Sequence, residues 1–113
     1  MAMQKYLVIL RSGPAKQEAP SPAQMQEMYA AFAAWSEKFK TNIVDMGAKL
    51  KPGGKILTVS GVIDGPLMEA KEIVGGFMVV SADNYEQALE IARECPGVLR
   101  PGNSVEVREM ASR

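Results

Sequence analysis

Two short runs, Leu7-Val8-Ile9-Leu10 and Phe77-Met78-Val79-Val80, place a large apolar side chain on every successive residue. Successive side chains of a strand point to opposite faces, so strands of this kind need cover on both sides. Ser12-Gly13-Pro14 ends the first run, and Gly75-Gly76 opens the second. Against these strands the spacing supplies two amphipathic helices. In the first, Ser21 is the N-cap, Pro22 the first helical residue and Gln24 the partner in a capping box. Met25, Met28, Phe32, Trp35 and Phe39 then form one apolar stripe to about Lys40. The second helix starts with Asp83 as N-cap and Glu86 three residues on. It carries Tyr85, Ala88, Leu89, Ala92 and Cys95, and stops at Pro96-Gly97.

Three further stretches read as strands. Ile43 to Leu50 and Lys55 to Ile63 flank the turn signal Lys51-Pro52-Gly53-Gly54 and are expected to pair as a hairpin. Ser104 to Met110 alternates Val105 and Val107 with Glu106 and Arg108. The order β-α-β-β-β-α-β predicts one α+β domain over residues 1–113. It is a ferredoxin-like split βαβ antiparallel sheet with a hairpin insertion. Right-handed crossovers put both helices on one face of that sheet. The other face stays apolar, and an exposed patch of that extent is rare on a monomer. A second copy, sheet against sheet, is the simplest cover, so a homodimer is expected.

Composition removes whole classes of function. Thirteen basic and thirteen acidic residues cancel, so nothing favours nucleic acid, which calls for an excess of Lys and Arg on one face. No apolar run approaches the ~20 residues that span a bilayer. The first ten residues lack a basic start and a small-residue cleavage site, which predicts a cytoplasmic protein. Cys95 is the single cysteine and histidine is absent. That leaves no internal disulfide, no Cys- or His-based metal site and no Ser-His or Cys-His dyad. Neither a metal nor a cofactor is expected.

The candidate functional residues cluster after the second arm of the hairpin. Asp64-Gly65-Pro66 reads first as a turn. Its second reading makes Asp64 a general acid or base at a pocket mouth, a role that needs a carboxyl perturbed by burial. Glu69, Lys71 and Glu72 follow as acid–base neighbours of Asp64 or as a solvated charge cluster. Gly75-Gly76 marks a bulge or a close backbone approach to a ligand. Lys51 to Lys55 has the composition of an anion cradle but reads better as a hairpin turn. Arg11 and Arg108 are either anion anchors at strand ends or ordinary exposed arginines. The methionines and Trp35 fall mostly at core spacing, and Cys95 lies on an apolar stripe, where a thiol is inert.

The run Val62-Ile63-Asp64-Gly65-Pro66-Leu67-Met68-Glu69-Ala70-Lys71-Glu72-Ile73-Val74-Gly75-Gly76-Phe77 closely resembles the signature of the DGPF group within the YCII-related family. The likeness continues at Ser21-Pro22 with Met25, at Ala88 to Ala92 with Cys95-Pro96, and at Gly102 with Val105 to Arg108. It implies a ferredoxin-like domain that dimerises into an α/β barrel, with the Asp64 loop bordering a cleft made with the first helix and the second subunit. On that basis Asp64 is the candidate acid/base, with Glu69 and Lys71 tuning its charge. Gln24, Tyr29, Gly65, Pro66, Glu72 and Gly76 are the candidate ligand contacts. Two departures bear on the carry-over. Leu67 stands where the group usually has phenylalanine. Other branches carry a His-Asp pair proposed as catalytic, and the His position looks like Gln24 here. Two functions are therefore expected in competition: a cofactor-free lyase or isomerase, and a non-catalytic ligand-sensing or regulatory module linked to sigma factors.

Overall fold

Antiparallel pairing of the two all-apolar runs builds the centre of the structure, a computed structural model that describes residues 3–13, 21–51, 53–65, 73–99 and 102–111. In chain order the elements are β1 (Gln4–Ser12), α1 (Pro22–Lys38), β2 (Ile43–Lys49), β3 (Lys55–Thr58), β4 (Gly61–Asp64), β5 (Ile73–Ala82), α2 (Tyr85–Glu94) and β6 (Asn103–Glu109). The main sheet runs β2-β5-β1-β6 and is antiparallel throughout. This is the ferredoxin-like order. β3 and β4 form a separate two-stranded sheet inserted between β2 and β5.

One face of the main sheet is the core. Tyr6 and Val8 of β1 and Met78, Val80 and Ala82 of β5 are buried there, with Ala88, Ile91 and Ala92 of α2 packed on them. Val105 and Val107 of β6 pack against the same cluster. The helices are tied together by the Trp35 indole, whose Nε1–H donates to the Ile91 carbonyl at 2.9 Å, and by a 2.6 Å ion pair from Lys38 to Glu94 at their C-terminal ends. That ion pair holds the Glu94 carboxyl below its ordinary range. Asn42, the one buried polar side chain among the described residues, donates to the Ser81 carbonyl at 2.9 Å.

The first helix begins as the sequence dictates. Ser21 Oγ accepts from Gln24 N–H, Gln24 Oε1 accepts from Ser21 N–H, and Pro22 occupies the first turn. Four expectations need correction. The arm Ile43–Leu50 does not pair with Lys55–Ile63. β2 joins β5, and the stretch from Lys55 to Asp64 folds on itself as β3 and β4 around Val59-Ser60. At the edge of the main sheet β2 gains a long partner in β5, whereas a local hairpin offers only a short one. The second helix is capped by Asn84, whose side chain accepts from Gln87 N–H, one residue later than Asp83; the Asp83 N–H instead donates to Gln87 Oε1. Of the α1 stripe only Trp35 is buried, and Met25, Met28 and Phe32 remain exposed. On α2, Tyr85 and Leu89 are exposed while Ile91, off the expected stripe, is fully buried.

The second face of the main sheet is open. Leu7 pairs with Val79 and Ile9 with Phe77 across β1 and β5. These four side chains are only half-buried, in contrast to Tyr6, Val8, Met78 and Val80 on the helix side. Both apolar faces read from the sequence are therefore present, and the described residues cover one of them. No helix among the described residues is long and apolar enough to cross a membrane.

Candidate functional site

Topology gathers the candidate residues at one end of the sheet. β1 and β2 both run antiparallel to β5, so their C-terminal ends lie beside the N-terminal ends of β5 and β6. α1 follows β1 and leads into the far end of β2, which puts Ser21 and Gln24 at this same end. The β3–β4 hairpin is tethered there too, between Lys49 and Ile73. The hydrogen bond from Gly65 N–H to the Gly54 carbonyl, 2.9 Å, closes the hairpin's base.

Asp64 is the last residue of β4 and faces Lys55 across the hairpin, where its carboxylate accepts from the Lys55 ammonium. Its side chain is 86% exposed. The burial that would tune this acid is therefore not supplied by the described residues. Gly65 is half-buried, and a methyl group on it would press on Ile56 at 3.0 Å. Gly76 is buried between β1 and β2, where a Cβ would lie 3.1 Å from the Ala48 carbonyl and 3.4 Å from Leu10 Cδ1. Strand packing accounts for the absence of a side chain at Gly76. Gln24 spends its side chain on the helix cap, and Tyr29 is 67% exposed on α1 beside Met25, Met28 and Phe32. Pro66, Glu69, Lys71 and Glu72 lie outside the described residues.

A polar group on the open face of the sheet lies next to this end. Arg11 donates through Nε and Nη2 to one oxygen of Glu106, at 3.2 and 2.7 Å. Arg108 Nε lies 3.9 Å from the other oxygen. The pattern of β1 and β6 shows why they meet: Ile9 is the register partner of Glu106 and Arg11 that of Ser104, so Arg11 and Glu106 are diagonal neighbours on one face. Sequence reading singled out Arg11 and Arg108 but not Glu106, whose role depends on a register that only the sheet fixes. It also missed Gly47. The signal for it is a glycine inside an otherwise strand-like run, which often marks a bulge.

No group of three or more His, Cys, Asp or Glu side chains among the described residues is arranged to hold a metal ion. Cys95 is buried in the core, and burial pushes its thiol up to about 11, so near neutral pH it stays protonated and poorly nucleophilic. What the site offers chemically is a solvated carboxylate–ammonium pair on a two-stranded arm, an arginine–glutamate cluster and an apolar floor.

Comparison with curated proteins returns no match. The profile of the YCII-related domain does match, over residues 4–111. That span runs from the first residue of β1 to past the end of β6 and takes in both helices and the hairpin. By sequence match along nearly its whole length, and with an α+β structure of ferredoxin-like order, the chain belongs to the YCII-related domain family.

Proposed function

We propose that this protein works as a homodimer and binds a small molecule in a cleft between the two subunits, at the sheet end that carries the hairpin and the start of α1. The observation that carries this reading is the uncovered patch of Leu7, Ile9, Phe77 and Val79, bordered by the Arg11–Glu106 pair. An apolar floor with a few convergent polar groups is the usual make-up of a ligand site, and a second subunit turns an open face into an enclosed one. The test is a thermal-shift screen of small metabolites on the wild type and on Ile9→Arg, which puts a charge in the middle of the patch. A binder raises the melting temperature of the wild type by mass action and leaves Ile9→Arg unmoved. A binder that stabilises both equally overturns the reading.

Catalysis is the second reading, favoured by the resemblance of the Asp64 loop and by the Asp64–Lys55 pair. Asp64 acts as acid or base in a cofactor-free lyase or isomerase step, with Glu69 and Lys71 setting the local charge. Gln24, Tyr29, Gly65, Pro66, Glu72 and Gly76 then surround the ligand. For a substrate found in the screen, Asp64→Asn is expected to lower kcat by roughly 10²-fold or more while retaining binding. Unchanged turnover removes Asp64 from the chemistry. Binding without any turnover leaves the ligand-sensing or regulatory role, in keeping with a chain that has no histidine.

A further inference from the structure

Among the ion pairs of the described residues, that of Arg11 and Glu106 is enclosed on both sides. Their side chains are 32% and 39% exposed, against 71% and 86% for Lys55 and Asp64 of the hairpin. Glu106 meets the guanidinium along one edge, where Nε at 3.2 Å and Nη2 at 2.7 Å both donate to a single carboxylate oxygen. A guanidinium carries five N–H donors in a planar fork. This contact takes the side edge and leaves the end edge, made of Nη1 and the second N–H of Nη2. Two parallel donors of that kind are what a carboxylate engages bidentately. Glu106 therefore fixes the plane of the fork without consuming it.

The charge of the group is also unbalanced. Arg108 Nε lies 3.9 Å from the other Glu106 oxygen, so two guanidinium groups stand against one carboxylate and leave one positive charge over. Lys5, also on β1, lies about 20 Å from Arg11 along the strand, well beyond the ~8 Å over which salt lets exposed charges act. A surplus of one charge suits a monoanion better than a doubly charged phosphate ester.

The surroundings supply the rest of a binding site. Along β1 from Arg11, the pair Ile9–Phe77 and then the pair Leu7–Val79 lie on the same face, about 7 and 13 Å away. All four are half-buried. Opposite Arg11, β5 is bulged: Leu10 pairs with Gly76 and Arg11 with Val74, so Gly75 is passed over. A Cβ at Gly75 would lie 3.0 Å from Ser12 Oγ. Bulges re-aim the side chains beside them and gather next to functional sites.

We propose that Arg11 is a carboxylate anchor and that the ligand is a small amphiphilic monocarboxylic acid. Its apolar body lies on Ile9, Phe77, Leu7 and Val79, and its carboxylate takes the Nη1–Nη2 edge of Arg11. Glu106 and Arg108 act as positioning residues. This rests on the cleft reading above and names the chemistry of the ligand.

Isothermal titration of octanoate, and of 1-octanol as its uncharged counterpart, tests it on the wild type, Arg11→Gln and Arg11→Lys. The wild type is expected to bind octanoate roughly 10-fold or more tighter than 1-octanol, the gain from hydrogen bonds to a charged group. Arg11→Gln is expected to remove that difference while leaving 1-octanol within about 2-fold, which also shows that the variant is folded. Arg11→Lys recovers only part of the loss, because an ammonium lacks the fork. Equal binding of both probes by the wild type, or an equal loss of both in Arg11→Gln, overturns the anchor and spares an apolar cleft. If Arg11→Lys binds octanoate as tightly as the wild type, the bidentate geometry is wrong. Binding of neither probe overturns the ligand class, and the cleft reading then stands or falls with the metabolite screen on Ile9→Arg.

Discussion

Gly47→Ala is expected to lower the melting temperature by more than ~12 °C, which for a domain of this size corresponds to about 3 kcal/mol. Gly47 sits in β2 with φ +68°, a region that costs an L-residue about 1–2 kcal/mol. The larger cost is steric. A Cβ at this position would lie 1.7 Å from the Phe77 carbonyl oxygen and 2.6 Å from its carbon. Those are backbone atoms of the neighbouring strand, so no rotamer change relieves the contact. β2 must move off β5, and among the described residues the ladder from Ile43 to Lys49 is the one that holds β2 in the sheet. Circular dichroism melts of the variant beside the wild type read the effect. A loss under ~3 °C would mean that the bulge at Gly47 relaxes at little cost and that β2 is weakly held.

Trp35→Ala is expected to cost about 3–5 kcal/mol, the range for removing a large aromatic side chain from a core. Trp35 is the single buried residue of α1. Its ring stacks at a tilt with Phe32, 5.3 Å between centroids, and with Phe39 at 6.3 Å. Its N–H donates to the Ile91 carbonyl in the last turn of α2. The substitution therefore opens a cavity, leaves a buried carbonyl without its indole donor and releases the anchor of the whole helix. Phe32→Ala, which removes a ring that contacts Trp35 from the more exposed side of α1, serves as the comparison. Denaturant unfolding is expected to show the Trp35 variant losing several times more stability than the Phe32 variant. Equal losses would mean that α1 is held along its whole stripe and not at one point.

The parts of the fold legible in the sequence are those set by local chemistry or by brute apolar content. The Ser21–Gln24 capping box is complete within four residues and forms as read. Leu7 to Leu10 and Phe77 to Val80 have too many large apolar side chains to be anything but central strands, and they pair with each other. The errors arise where a local signal competes with a distant one. Lys51-Pro52-Gly53-Gly54 is a strong turn signal in the sequence, but such a signal does not say that its two flanks must pair, and β2 pairs with β5 rather than β3. Asp83 and Asn84 are both good caps, and the choice of Asn84 follows from where Gln87 falls. Periodicity marked the apolar stripe of α1, yet it could not tell that Met25, Met28 and Phe32 stay partly exposed while Trp35 alone is buried.

The candidate site was legible as a neighbourhood and not as a geometry. Gln24 is far in the chain from Asp64, Gly65 and Gly76, and the topology brings them to one end of the fold. Their individual surroundings are another matter. The exposure of Asp64 and its pairing with Lys55 depend on the β3–β4 register, Lys55 opposite Asp64 and Ile56 opposite Ile63. That register was hidden by the expectation of a longer hairpin. The same hairpin exposes Leu57 and Val59 almost completely. An isolated two-stranded hairpin is marginal in water, so this arm gains from any surface that covers it.

The account turns on whether a second copy covers the open face of Leu7, Ile9, Phe77 and Val79. Light scattering on the eluting peak of a size-exclusion column measures this directly at micromolar concentration. A mass of twice the chain's 12.2 kDa, falling to the single-chain value in Ile9→Arg, is the expected result. A wild type that elutes as a folded species of 12.2 kDa at every concentration contradicts it.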